Sequence, residues 1–441
     1  MKNNKILFAC PPFDGHFNPL TGLAVHLLNA GYDVRWYTAK AFERKVQRLT
    51  IPFYPFKRTM EINQDNLNEL FPEREKLKGG IAKIKFDIRK VFVESAIPQF
   101  EDIKDICREF DFDLLICDNA FTGGQLVKEK LGKKVIAIGV TPLGESSKDV
   151  PPTGLGLTPA HSFIGKQVQS LMRTVLNKVV FKESSQLYNE VITSYGLPPV
   201  NDSIFNIASR YMDLFLQIGV PGFEYYRSDI SPKVRFIGPL LPPKQATTHN
   251  FAHADKLAAY EKVILISQGT VDNKEPEKLI IPTIEALKDK PYLLIAATGY
   301  SKTEELRKKY AQANVIIEDF VDFSSILPHS DVFVTNGGYG STFLSLANEV
   351  PIVAAGLHEG KNEICARIGY FNVGINLKTE RPKPAQIRKS VEAILSDTKY
   401  KKNVATLKQE FKHYPTLTLC VQYIKEILDT ASEPRTVLSI A

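Results

Sequence analysis

Two side chains, His16 and Asp118, and two small polar turns, Ser267-Gln268-Gly269-Thr270 and Thr335-Asn336-Gly337-Gly338-Tyr339-Gly340-Ser341-Thr342, are the parts of this chain that can do chemistry. His16 follows the apolar run Lys5-Ile6-Leu7-Phe8-Ala9-Cys10, and Asp118 closes the run Phe112-Asp113-Leu114-Leu115-Ile116-Cys117. Each sits at the carboxyl end of an expected strand, where open α/β sheets gather their ligands. An imidazole held by a carboxylate is a general base, because the carboxylate fixes the tautomer and stabilises the imidazolium formed on proton uptake. The turn after Asp331-Val332-Phe333-Val334 is rich in glycine and opens a helix. Its backbone N–H groups converge on one spot with the positive end of the helix dipole behind them, an arrangement suited to phosphate. Ser341 and Thr342 add hydroxyl donors. A base facing an anion site across a cleft implies group transfer. The base takes a proton from an acceptor, and the turn holds the charge of a departing diphosphate.

The elements that must position these groups follow from the alternation of apolar runs and helical stretches. Lys5 to Cys10 reads as a buried strand. Pro11-Pro12-Phe13-Asp14-Gly15-His16-Phe17-Asn18-Pro19 reads as a loop, residues 20–30 as an amphipathic helix closed by Gly31, and Val34-Arg35-Trp36-Tyr37-Thr38 as the next strand. This is the opening βαβ unit of a parallel sheet. Apolar runs at 135–140, 263–267, 292–297, 315–317, 332–334 and 352–354 continue the rhythm. Residues 60–96 are rich in charge and helix formers, and residues 141–164 are expected to be a long loop near the sheet edge of His16 and Asp118; long loops in compact domains tend to be functional. Lys76-Leu77-Lys78-Gly79-Gly80-Ile81-Ala82-Lys83-Ile84-Lys85-Phe86 could touch a membrane surface; the favoured reading is a solvated helix face. Pro and Gly at 221–223 and 236–243 bracket a linker. The expected domains are 1–225, a linker at 226–245, a second α/β domain at 246–400 and a tail at 401–441 that is helical over 407–428.

Composition bounds the class. A chain of 441 residues with 44% hydrophobic and 24% charged residues is globular and long enough for two domains. A net charge of +7 without a nucleic-acid-binding motif excludes nothing beyond an obvious nucleic-acid role. Five scattered cysteines have no zinc spacing, and most lie in apolar runs as buried thiols do. No run reaches the roughly 20 apolar residues that span a bilayer. The apolar run after the amino terminus is too short for a signal peptide, so a cytoplasmic location is expected. No carboxylate pair suits a divalent ion at a diphosphate, so no metal is expected.

Taken together, Gly15-His16-Phe17-Asn18-Pro19, Asp118, Phe236-Ile237-Gly238-Pro239, Ser267-Gln268-Gly269-Thr270, Ile326-Leu327-Pro328-His329, the turn from Asn336 to Thr342, and Val350-Pro351 resemble a known family in order and spacing. It is that of the inverting nucleotide-sugar glycosyltransferases of GT-B fold, of the UDP-glucuronosyltransferase and macrolide glycosyltransferase type. The resemblance covers nearly the whole chain. It implies two Rossmann-like domains facing across a cleft, with a tail helix returning to the first. It implies His16 as the base and Asp118 as its partner. Thr270, Asn336, Gly338, Tyr339, Gly340 and Ser341 would surround the diphosphate, Phe320 would stack on the nucleobase, and backbone at Val321 would read it. The co-substrate would be a nucleotide sugar, UDP-linked in preference to dTDP-linked, with no further cofactor. The acceptor would be small and hydrophobic or phenolic, shaped by front-domain loops and aromatic residues such as Phe53, Phe71, Phe92, Phe100 and Phe121. The chain departs from the family at Asn336, where a His is usual, and at Leu344, where a ribose-binding Glu is usual. It departs again at Gly360-Lys361, where an acidic residue and Gln usually read the sugar. Glu359 and Lys361 are the expected substitutes there, with Glu363 beside them. A nucleotide-sugar epimerase and a non-catalytic helper on the same fold are the alternative readings.

Overall fold

The computed structural model describes residues 4–63, 65–241, 251, 253–269 and 274–429. Its frame is two parallel sheets. The first holds β1 (Lys5–Ala9), β2 (Asp33–Thr38), β3 (Phe53–Pro55), β4 (Leu114–Asp118), β5 (Lys134–Gly139), β6 (Leu214–Ile218) and β7 (Val234–Gly238). Their spatial order is β3-β2-β1-β4-β5-β6-β7. The second holds β8 (Lys262–Ser267), β9 (Tyr292–Ala297), β10 (Val315–Glu318), β11 (Val332–Thr335), β12 (Ile352–Ala354) and β13 (Gly374–Asn376), in the order β10-β9-β8-β11-β12-β13. Helical crossovers make every strand pairing parallel and cover both sheet faces. The central strands are therefore apolar on both sides. On β1, Ile6 and Phe8 join one core while Leu7 and Ala9 join the other. On β8, Ile264 and Ile266 face one way and Val263 and Leu265 the opposite way.

Each sheet has one place where the strand order reverses, and each reversal carries part of the site. In the first sheet it lies between β1 and β4, whose last paired residues are Ala9 and Cys117. The segments that follow carry His16 and Asp118, so the reversal makes neighbours of residues far apart in the chain. In the second sheet it lies between β8 and β11, where Ser267 pairs with Thr335. The two polar turns follow those residues.

Three sequence expectations change. The first helix begins at Asp14 and runs to Asn29, so His16 stands in a helical first turn and not in a loop. Pro19 lies within that helix as its sixth residue, past the N–H groups that have no partner, and so forfeits one bond of the backbone ladder. Val234–Gly238, inside the stretch read as a linker, is an edge strand paired with β6. The tail is two helices, Thr398–Phe411 and Thr416–Asp429, broken before Pro415; residues 430–441 of the expected tail domain lie outside the described residues. The second tail helix packs on β7 and on the first helix. Cys420 and Ile424 join a core shared with Leu27, Ile237 and Phe343. That core runs from the first sheet through Phe343 and Leu346 to Ile352 and Ala354 of the second, binding both halves into one apolar body. Among the described residues no helix is long and apolar enough to cross a membrane.

Candidate active site

His16 enters the site because β1 ends at Ala9 and Phe13, in extended conformation, caps the helix that follows. Its Nδ1 meets Asp118 Oδ2 in a short hydrogen bond. The Asp118 side chain is fully buried while that of His16 is 20% exposed, so one edge of the ring remains open. The other carboxylate oxygen accepts from the Ala120 N–H at 3.0 Å, which fixes the plane of the Asp118 carboxylate. Burial works against a charged imidazole here, but the Asp118 charge and hydrogen bond outweigh it and the His16 pKa stands above its ordinary value. Phe13 and Phe92 lie against the ring, with centroids 5.9 and 6.1 Å away. Beside Phe13 is a cavity of about 10 Å³, lined by Phe56, Met60, Ile62 and Val91 and also by the polar Thr59, Ser95 and Gln99. Of the five aromatic residues expected at the acceptor, only Phe92 reaches the imidazole. Phe100 and Phe121 are buried in a core, Phe53 packs on another, and Phe71 stacks edgewise on Phe86.

The second half of the site is the turn after β11. Gly337 has φ +83°, and a Cβ there would lie 2.6 Å from the Cys365 sulfur, so both conformation and space demand glycine. Gly338 is the N-cap of the helix Tyr339–Ala347 and has no side chain to offer it, which leaves the first N–H groups of the helix for a ligand. Gly340 faces open space. Several side chains expected to help do other work. The Asn336 amide nitrogen donates to the Gln268 carbonyl, tying the two polar turns together, and Asn336 is only 4% exposed. The Ser341 hydroxyl donates to the Gly338 carbonyl at 3.0 Å. Thr342 is fully buried and is not a donor to the cleft. The donors this turn offers are therefore backbone N–H groups. Tyr339 turns its ring away from the turn. Its hydroxyl donates to the Ile218 carbonyl at 2.8 Å and accepts from Gln217 Nε2 at 3.1 Å, both in the first sheet. Thr270 lies outside the described residues.

Phe320 is 70% exposed, a large apolar face open for stacking, while Val321 beside it is buried. Glu359 adopts φ +56° at a tight bend ahead of the helix Lys361–Tyr370, and Lys361 Nζ donates to its carboxylate at 2.8 Å. The bend lies against the anion turn, since a Cβ on Gly356 would strike the Asn336 carbonyl at 2.0 Å. Glu363, one turn on, does not face the cleft opening. It accepts from the N–H groups of Gly154 and Gly156 at 2.9 and 2.8 Å, pinning the long front loop to the second domain.

That pin belongs to a buried charge cluster that sequence reasoning missed. Arg367 donates to Glu224 at 2.6 Å and to Glu363 at 3.1 Å, and Arg227 donates to Glu224 at 3.0 Å. The partners are far apart in sequence, and a buried Arg reads locally as one more helix charge. Gly219, in the first domain at φ +107°, is pressed against Phe343 of the second, where a Cβ would sit 2.5 Å from the ring. These contacts join segments that follow strand carboxyl ends in both sheets. The carboxyl edges therefore face each other, with His16 on one side and the Gly338 amides on the other.

Comparison with known proteins agrees. Residues 295–427 match the family described as Erythromycin biosynthesis protein CIII-like, C-terminal domain. The chain is 34% identical over 407 residues to 4'-demethylrebeccamycin synthase of Lentzea aerocolonigenes, covering 92% of this chain and 95% of that one. It is 29% identical over 439 residues to UDP-glycosyltransferase 2 of Phaeomoniella chlamydospora, covering 96% and 95%. The calicheamicin glycosyltransferase CalG4 superposes with a TM-score of 0.73 at 18% identity, covering 98% of this chain and 100% of that one. Sequence relatedness along nearly the whole length, two facing parallel-sheet domains and an amide-lined turn lead to one conclusion: the chain belongs to the small-molecule glycosyltransferases of GT-B fold, which move a sugar from a nucleotide-sugar donor.

Proposed function

We propose that this enzyme transfers the sugar of a UDP-sugar to a hydroxyl of a small apolar acceptor with inversion, using His16 as general base. The observation that carries the reading is the His16–Asp118 contact at the point where the first sheet reverses. With Nδ1–H donated to Asp118, Nε2 keeps its lone pair for the acceptor hydroxyl. As Nε2 takes the proton, the acceptor oxygen attacks the anomeric carbon from the face opposite the diphosphate. The new C–O bond forms as the bond to the leaving oxygen breaks. The diphosphate departs toward the N–H groups that open the helix Tyr339–Ala347, whose dipole offsets the charge.

Phe320 is assigned to stack on the nucleobase and backbone at Val321 to read its edge. Glu359 is assigned to the sugar hydroxyls, with Lys361 placed to neutralise it or to meet the diphosphate. Glu359→Ala should raise the donor KM; an unchanged KM removes that assignment. The uridine nucleotide is proposed because several relatives carry UDP in their names. The Phe13 and Phe92 rings that lie against the imidazole support an acceptor with a hydrophobic body.

The test is to incubate the enzyme with α-linked UDP-sugars and phenolic and polyketide acceptors, then determine the anomeric configuration of the product by NMR. A β-glycoside with UDP released in equal amount is expected. An α-glycoside would overturn the single-displacement reading.

A further inference from the structure

The helix Phe163–Val175 and the turn after it carry an apolar face that looks outward. Phe163 and Ile164 are 77% and 75% exposed, Val168 51%, Leu171 66%, Val175 44% and Val179 66%. On a helix of 3.6 residues per turn, Ile164, Val168, Leu171, Val175 and Val179 fall on one side. The opposite side is the one that packs. It carries Gln169, whose amide is bonded to the Thr158 carbonyl and the Ala160 N–H, the buried Leu176, and Arg173, held by the Val150 carbonyl at 2.6 Å. The polarity is thus inverted relative to a helix that packs on a core, and this is the largest cluster of exposed apolar side chains among the described residues.

The charge of the same segment says what covers it. From Ser162 to Lys182 there is no Asp or Glu, and the charged residues are Lys166, Arg173, Lys178 and Lys182. Lys166, Lys178 and Lys182 are exposed. The acids near its cations, Asp149 and Asp229, come from other segments. An aliphatic stripe whose own segment carries only cations matches a surface that is apolar within and anionic at its edge. A second protein would more commonly answer an apolar stripe with apolar groups and mixed charges at the rim. The segment also adjoins the site. The loop leading into it is pinned to the second domain by Glu363, and His161 stacks on Tyr370 with centroids 6.3 Å apart. The helix that follows it reaches back to the front-domain segment carrying Phe92, through Glu183 and Lys85 at 3.1 Å.

We propose that the face formed by Ile164, Val168, Leu171, Val175 and Val179, with its lysines, docks the enzyme on the surface of an anionic lipid bilayer. In that pose the aliphatic side chains enter the headgroup boundary and the lysines meet lipid phosphates. Residues 76–86, read from the sequence as a solvated helix face in preference to a membrane contact, are a different segment.

The experiment is flotation of the full chain with vesicles of phosphatidylcholine alone and of phosphatidylcholine mixed with phosphatidylglycerol. The wild type should float with the mixed vesicles, less so as salt rises, and weakly with the neutral ones. Leu171→Asp with Val175→Asp should lower the partition coefficient by roughly 100-fold or more, since two side chains no longer leave water. Lys166→Gln with Lys178→Gln should remove the preference for the anionic vesicles. Melting temperature and turnover of a water-soluble acceptor should be unchanged in both variants, because neither touches the packed face or the cleft. No binding by the wild type, binding the Asp variant retains, or equal binding to neutral vesicles overturns the proposal. Concentration-dependent dimers abolished by Leu171→Asp and Val175→Asp, without vesicle binding, would assign the face to a second copy and overturn it equally. Vesicle binding and oligomeric state, which decide the proposal, are read without sugar transfer.

Discussion

His16 is useful because two of its surroundings pull in opposite directions. Burial favours the neutral ring, and Asp118 favours the charged one. Asp118 prevails, so the imidazole holds a proton more tightly than a free one, which suits the role of base proposed for it. His16→Ala should lower kcat by about 10² to 10⁴ in a folded protein, measured as initial rates with saturating donor. Asp118→Asn removes the charge that raises the imidazole pKa. The acidic limb of the rate–pH profile should therefore move to lower pH while the plateau falls, and a limb that stays in place would separate Asp118 from the base. Stability has the corresponding sign. A histidine raised above its unfolded value of about 6.5 contributes stability below that pH, and loses it as pH climbs through the folded value. At this scale the sequence was legible where chemistry follows strand ends, as for His16 and Asp118. It was not legible for Asn336, Ser341 and Thr342. Whether a small polar side chain faces a ligand or its own backbone depends on turn geometry that residue type does not encode.

Among the elements, the turn between β11 and its helix depends most on a single residue. Gly337 combines a positive φ with the Cys365 sulfur where a Cβ would go. Gly337→Ala should destabilise the fold by more than ~1 kcal/mol and weaken UDP binding, read by thermal denaturation with and without UDP and by calorimetry. The alternation of apolar runs disclosed most strands that carry the site, because strands buried on both faces are continuous apolar stretches. β6 and β7 escaped for physical reasons. In β6 the buried Gln217 interrupts the run; its amide nitrogen donates to Thr141 and Ile218 carbonyls at the sheet edge. β7 ends at Gly238, ahead of Pro239, and its stretch reads as a linker, although the strand is paired and lies under the second tail helix. The helix start at Asp14 escaped because prolines flank it on both sides.

For the molecule as a whole, the Glu224–Arg227–Arg367–Glu363 cluster decides how the halves meet. Burial raises the Glu224 carboxyl pKa, and Arg367 and Arg227 bring it down further, so its folded value is below the ordinary one. Its share of the clamp is present above the unfolded carboxylate value of about 4.3 and lost as pH falls through the folded one. Arg367→Leu leaves Glu224 and Glu363 without their common cation. It should cost about 3–5 kcal/mol, seen as a lower melting temperature, and should loosen the cleft, seen as a larger radius of gyration in solution scattering. None of this was legible in the sequence, because a charge pair spanning two domains leaves no local pattern. The overall plan was legible, since two successive strand–helix alternations with a break between them permit few other arrangements.

One tyrosine carries a consequence for the order of events. Tyr339 contributes its amide to the glycine turn proposed to hold the diphosphate, and its phenol oxygen is fastened to the end of β6 in the opposite half. A ligand on the amide and the end of β6 would thus be joined through a single residue. Linkage requires such an exchange to be mutual: the factor by which bound UDP sharpens affinity for the acceptor must equal the factor by which bound acceptor sharpens affinity for UDP. Severing the tie with Tyr339→Phe should bring both factors toward unity together, leaving two cavities that fill without regard to one another.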